Sequence, residues 1–247
     1  MVNGEWVAKD REGVIVHTMN PVHQRGPVFY ASLPRDDTPP GGQGTNAEET
    51  RHRLVYHLWD HLAAEEGPLW KRSLCAGRAG FRVVRGQLGR PQLLLGGNRG
   101  PAISFSEGGG KVWAALSGDE SDIGIDVAGS DEFQSGYPLL RVFHREELQH
   151  ALLVTGGESA AAAALLWSVK EAVVKALGCA FHLVDPRQIT VHPPVGGGGH
   201  TFPVCLKEKA LQRFPLAPGQ PLWVRSLPHG KLWLSIALLN RRPTGYE

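Results

Sequence analysis

Cysteine is scarce in this chain of 247 residues: there are three, Cys75, Cys179 and Cys205. An odd, widely spaced set matches neither a disulfide framework nor a zinc-ligand spacing, and reads as incidental thiols in a reducing compartment. Long apolar runs are missing too. The longest, Ala160 to Trp167, falls far short of the ~20 residues that span a bilayer, and the opening MVNGEWVAKDREG lacks the apolar core of a signal peptide. Nor is there an excess of charge of one sign, since 26 Lys and Arg face 24 Asp and Glu for a formal +2. So mild a balance gives no basic face for nucleic acid, yet it suits an anionic small ligand or an acidic protein partner. With 42% apolar and 20% charged residues, the composition is that of a soluble globular protein, expected in the cytoplasm and away from membranes. The length allows one large domain or two of roughly 120 residues.

What the chain does have is clear periodicity. Strand-like pieces, Gly13 to Thr18 and Pro27 to Leu33, precede a breaker-rich loop, Arg35 to Thr45. Asn46, with Glu49 three residues on, resembles a capping box. Leu54, Val55, Leu58, Trp59 and Leu62 then form one apolar stripe that Gly67-Pro68 ends. His57 and His61 of that helix have an i, i+4 spacing, but no third ligand follows, so these two and His52 are expected on a solvated face. Lys71 to Arg90 reads as basic and turn-rich, and Pro101 to Leu116 as a hairpin about Gly108-Gly109-Gly110. With no P-loop lysine, that triple glycine reads as a turn before a phosphate cradle.

After the polar joint Ser117 to Asp122 comes a short buried strand, Ile123 to Ala128, with an acid at its end. Phe143 to Val154 reads as a helix, Thr155 with Glu158 as a capping signal, and Glu158 to Leu177 as a long helix stopped by Gly178. Strand-like segments follow at Gln188 to Val191, Thr201 to Leu206, Leu222 to Leu227 and Lys231 to Leu239, with Gly196 to Gly199 as a loop. Helices and hairpins without a run of βαβ units point to an α+β fold. Gly110-Lys111-Val112-Trp113 recurs as Gly230-Lys231-Leu232-Trp233, each leading into an apolar strand, which suggests two similar lobes.

Residues three and four apart share a helix face. Ala164, Ser168, Glu171 and Lys175 therefore make one stripe, while Leu165, Leu166, Val169, Val173 and Ala176 turn to the core. The two small residues leave room for a ligand. Taken alone, Glu171 and Lys175 also read as an exposed pair contributing about 0.2–0.5 kcal/mol, and Asp126 as a turn cap. Taken together, two carboxylates and a lysine suit a hard divalent cation beside a phosphate.

Gly124-Ile125-Asp126-Val127 and, further on, Trp167-Ser168-Val169-Lys170-Glu171-Ala172-Val173-Val174-Lys175 resemble the paired signature of the 4′-phosphopantetheinyl transferase superfamily. That signature is roughly G-[IV]-D and then [FW]-[SCT]-x-K-E-[AS]-x-x-K. Gly89-Arg90-Pro91 resembles the G-K-P segment of the larger, Sfp-type members, and Ile103-Ser104-Phe105-Ser106 their N-[IV]-S-H-S. The resemblance implies a monomer of two similar α+β lobes, residues 1–118 and 119–247, each with an antiparallel sheet and a long helix, the second carrying the metal and catalytic motifs.

It further implies an enzyme that moves 4′-phosphopantetheine from coenzyme A to a serine of an apo acyl or peptidyl carrier protein, releasing 3′,5′-ADP. By position, Asp126 and Glu171 would bind Mg²⁺. Glu171, or a water it orients, would take the serine proton, and Lys175 would contact phosphate. Arg90 would stand for the G-K-P lysine near the nucleotide, with Ser104 and Phe105 at the 3′-phosphate. Two positions depart from the pattern: Ala128 replaces a frequent second acid, and Phe105 replaces a histidine. A lost hydrogen bond to a charged phosphate costs about 1.5–3 kcal/mol, for which Arg99 or Lys111 could compensate. These departures motivate an alternative, a coenzyme A or carrier-protein binding relative without catalysis. An unrelated interaction protein is a third reading.

Overall fold

The computed structural model describes residues 5–9, 14–20, 26–35, 47–64, 81–118, 121–134, 136–195, 200–216 and 222–240. Several expectations lie outside these residues: the loop at 36–45, Asn46 of the capping box, Gly67-Pro68, the basic stretch 71–80 with Cys75, and the loop 196–199. The fold is α+β, and the chain divides into two compact units, Met1–Ser121 and Asp122–Glu247.

The first unit runs β1 (Glu5–Lys9), β2 (Ile15–Met19), β3 (Val28–Pro34), α1 (Ala47–Ala64), β4 (Phe81–Arg85), β5 (Pro91–Leu95), β6 (Asn98–Arg99), β7 (Ile103–Gly108) and β8 (Lys111–Ser117). One antiparallel sheet has the order β1-β2-β3-β8-β7 and a smaller one the order β4-β5-β6. Leu54, Val55, Leu58, Trp59 and Leu62 are all buried, as the stripe requires, and join Phe29, Ala31, Val112 and Ala114 in one core. The histidines of α1 depart from expectation. His57 is buried, and His61 lies 3.3 Å from the Thr18 hydroxyl and edge-on to Phe29. Only His52 is exposed, stacked on Phe81. The part of the turn-rich stretch that is described also differs: 81–85 is a strand whose Phe81 and Val83 pack on the core while Arg82 and Arg85 are exposed. Pro91 opens β5, a position where its missing N–H does least harm.

The second unit runs β9 (Asp122–Gly129), α2 (Leu139–Val142), α3 (Arg145–Val154), α4 (Ser159–Ala176), β10 (Ile189–Val191), β11 (His200–Leu206), α5 (Glu208–Arg213), β12 (Leu222–His229) and β13 (Leu232–Leu239). Its antiparallel sheet has the order β10-β11-β12-β13-β9. α4 lies on one face of that sheet, burying Leu165, Leu166, Val169 and Val173 with Phe202, Val204, Val224 and Ala237. Gly178, at φ 75°, closes α4: its N–H donates to the Lys175 carbonyl and that of Cys179 to Val174. These are the two bonds of a glycine-terminated helix end. The Thr155–Glu158 capping signal is corrected. Thr155 Oγ1 donates backward to the Ala151 carbonyl at 3.0 Å, and α4 begins after Glu158 with no side-chain cap. Cys179 and Cys205 are free thiols. No single described helix is long and apolar enough to cross a membrane.

Both units repeat one order of elements. A strand (β3 or β9) leads to an 18-residue helix (α1 or α4). A terminal hairpin follows (β7–β8 or β12–β13), and its last strand pairs antiparallel with the strand before the helix. The two similar tetrapeptides sit at the same place in this order, with Gly110 and Gly230 at φ 70° and 64° in the hairpin turns.

Candidate functional site

β9 is buried along nearly its whole length. Asp126 lies in its middle, opposite Ser235 of β13, and not at a strand end as the sequence suggested. Alternation puts Gly124, Asp126 and Ala128 on one face, the face that α4 covers. A Cβ on Gly124 would overlap the Ala172 carbonyl oxygen. Glycine here lets the helix backbone rest directly on the strand, which draws the Asp126 side chain toward the helix.

The Lys175 ammonium donates to Asp126 Oδ1 at 2.7 Å and to the Ile125 carbonyl at 3.1 Å. It thus binds the strand acid and makes no surface pair with Glu171. The pair is sheltered, with side-chain exposures of 27% for Lys175 and 8% for Asp126. Glu171 is half-buried, one turn before Lys175. Burial first, and then the negative charge of Asp126, push its carboxyl above the ordinary 4.5, while Lys175 pulls it back. Among the described residues no hydrogen bond or ion pair reaches the Glu171 carboxylate. Burial and the charge of Asp126 thus disfavour an ionised Glu171, a cost that a hard cation would relieve. Among the described residues no group of three or more His, Cys, Asp or Glu is gathered.

The stripe beside Glu171 is less open than its sequence implied. Ala164 and Ser168 are wholly buried. Ser168 Oγ donates to the Leu165 carbonyl at 2.9 Å and lies 2.7 Å from Ser235 Oγ, itself 2.7 Å from Ser226 Oγ. Since each hydroxyl has one proton, Ser235 donates to Ser168 and Ser226 to Ser235. This chain fastens α4 to the strand residue that faces Asp126. Sequence reasoning missed Ser235, whose signal was a single polar residue inside the apolar run LWLSIALL. It also gave no role to Lys170, which turns away from Glu171 into a buried ion pair with Glu147 at 2.9 Å. Burial lowers its pKa below the usual 10.5, and Glu147 opposes that shift.

The remaining candidates belong to the first unit. Arg90 is half-buried after the tight turn Gln87–Gly89, and its carbonyl accepts the Gly86 N–H at 2.7 Å. Ser104, on β7, is buried. Phe105 follows it and points to the opposite face of the strand, packed against the apolar core. The Arg51 guanidinium lies 6.0 Å from the centre of the Phe105 ring. Glu107 receives Arg51 at 2.6 Å and Arg35 at 3.2 Å. Of the cations named as compensating, Lys111 lies over Trp113 at 5.7 Å and Arg99 is on exposed β6.

Residues 122–217 match the family model of the 4′-phosphopantetheinyl transferase superfamily. The matched stretch includes Asp126, Glu171 and Lys175 and is less than half of the chain. Among solved structures, the chain is similar to an ACPS–CoA complex from Chronobacterium ammoniagenes, at 20% identity and a TM-score of 0.39, over 50% of this chain and 99% of that one. Comparison with curated proteins gives no match.

Proposed function

We propose that the protein is a Mg²⁺-dependent 4′-phosphopantetheinyl transferase of the larger, monomeric Sfp type, acting in the cytoplasm. It would move phosphopantetheine from coenzyme A to a serine of an apo acyl or peptidyl carrier protein and release 3′,5′-ADP. One observation carries the reading: Asp126, Lys175 and Glu171 gather where α4 rests on β9, inside the stretch that matches this superfamily.

Asp126 and Glu171 offer the oxygen donors that Mg²⁺ prefers, and the ion keeps several waters, so one or two carboxylates suffice without an acid at position 128. When bound, Mg²⁺ would neutralise charge on the coenzyme A pyrophosphate. Lys175 has three N–H donors and gives two of them to Asp126 and Ile125, leaving the third for a phosphate oxygen. In the transfer the serine oxygen forms a bond to the phosphorus that bears pantetheine, and the bond from that phosphorus to the 3′,5′-ADP oxygen breaks. The serine proton goes to Glu171 or to a water that it orients. Positioning and charge neutralisation supply most of the catalysis in such displacements. In the first unit, Arg90 serves the nucleotide phosphates and Ser104 the 3′-phosphate.

The test is to incubate the protein with coenzyme A, Mg²⁺ and several apo carrier proteins and to weigh the carriers. A gain of one phosphopantetheine per carrier is expected, and no gain on any carrier would refute the proposal.

A further inference from the structure

We propose that Lys170 and Glu147 are positioning residues, whose buried ion pair sets the roll of α4 that aims Glu171 toward Asp126 and Lys175. This rests on the role given to Glu171 above.

Both side chains are withdrawn from solvent, with exposures of 0% and 1%. The Lys170 ammonium donates to Glu147 Oε2 at 2.9 Å, to the Pro186 carbonyl at 2.9 Å and to the Val142 carbonyl at 3.4 Å. Glu147 Oε2 also accepts the His144 N–H, and Oε1 the Val191 N–H, both at 2.8 Å. The Phe143 ring lies 5.5 Å from the ammonium. One charge pair thus joins α4 to the end of α2, the start of α3, the turn Pro186–Gln188 and β10.

Stability alone is a poor reason for such a pair, because well-packed apolar side chains usually do as well in its place. What the pair adds is direction. The other buried side chains of α4 are mostly Ala, Leu and Val, and hydrophobic contact is non-directional. Successive helical residues are ~100° apart around the axis, so Lys170 and Ala172 flank Glu171 symmetrically. Ala172 is fixed by its backbone contact with Gly124, and Lys170 by its polar partners. Glu171 projects between two anchors. Were the Lys170 side released, α4 could roll about the Gly124 contact and swing the carboxylate away from Asp126 without losing much apolar burial.

The test uses the full-length double variant Lys170→Met/Glu147→Gln, which removes both charges and keeps side-chain length. Glu147→Gln alone is the second variant should the double variant fail to fold. Each is checked by circular dichroism and assayed well below its melting temperature. Mn²⁺ affinity is measured by paramagnetic resonance without substrate, and kcat and KM for coenzyme A are measured in the transfer assay. Mn²⁺ Kd should rise and kcat should fall by about tenfold or more, with KM for coenzyme A within about threefold of the wild type. A purely structural role would lower the melting temperature and leave these readouts alone. A folded variant in which either Mn²⁺ Kd or kcat stays within about threefold of the wild type overturns the positioning role. Wild-type protein that neither binds Mn²⁺ nor transfers phosphopantetheine would instead sink the proposed function.

Discussion

Burial and the neighbouring Asp126 both disfavour an ionised Glu171, and Lys175 offsets them only in part. A carboxyl whose folded pKa exceeds its unfolded one costs stability where both states are ionised. That cost is relieved as pH falls through the folded pKa toward the unfolded value. Glu171→Gln should therefore raise the melting temperature of the metal-free protein at about pH 7, lose that gain by about pH 4, and abolish transfer. Thermal melts at the two pH values check it, and a variant no more stable than wild type at neutral pH contradicts this account of Glu171. Mg²⁺ should raise the melting temperature of the wild type more than that of the variant. The residue types and spacing of Asp126, Glu171 and Lys175 were readable because each carries its chemistry in its name. Their partners were not. Helical spacing puts Lys175 nearest Glu171, whereas its ammonium reaches a strand residue 49 positions earlier. Lys170 likewise finds its acid 23 positions back, a distance that only folding closes.

At the scale of elements, the contact of α4 with β9 decides the geometry. Gly124→Ala would drive a methyl group into the Ala172 carbonyl, which belongs to a buried helix backbone and has no rotamer to yield. Overpacking of this kind costs roughly 1–3 kcal/mol or more. Because relief requires strand and helix to part, Asp126 and Glu171 should separate as well. Chemical denaturation and the transfer assay should both register the change, and a variant with wild-type kcat would mean that the close approach does not serve the site. Ser235→Ala should cost about 1–3 kcal/mol, since it takes from the buried Ser226 hydroxyl its acceptor and from Ser168 its donor, with KM for coenzyme A unchanged. Most helices and strands were legible from periodicity. Failures came where side chains serve two masters. Arg82 and Arg85 gave 81–85 the look of a loop although Phe81 and Val83 alternate inward. Thr155 stands between two helices, and its hydroxyl serves the one behind it.

At the scale of the whole molecule, the two units repeat one order of strand, helix and hairpin, and the similar tetrapeptides at Gly110 and Gly230 occupy the same turn of each hairpin. Their candidate residues differ in kind. The second unit holds the two carboxylates and Lys175, whereas the candidates of the first, Arg90 and Ser104, offer a guanidinium and a hydroxyl. If Arg90 holds coenzyme A and Asp126 the metal, as proposed, substrate affinity and metal binding should respond to different variants. Arg90→Ala should raise KM for coenzyme A roughly 10- to 100-fold, the equivalent of one lost hydrogen bond to a charged phosphate, while Mn²⁺ affinity stays as in the wild type. Asp126→Ala should do the reverse to the metal: Mn²⁺ binding is lost and kcat falls at least about 100-fold, the scale of removing a group that stabilises transition-state charge. Measured side by side, the two variants separate substrate holding from chemistry. If Arg90→Ala also abolished Mn²⁺ binding, the assignment of Arg90 to substrate holding alone would fall.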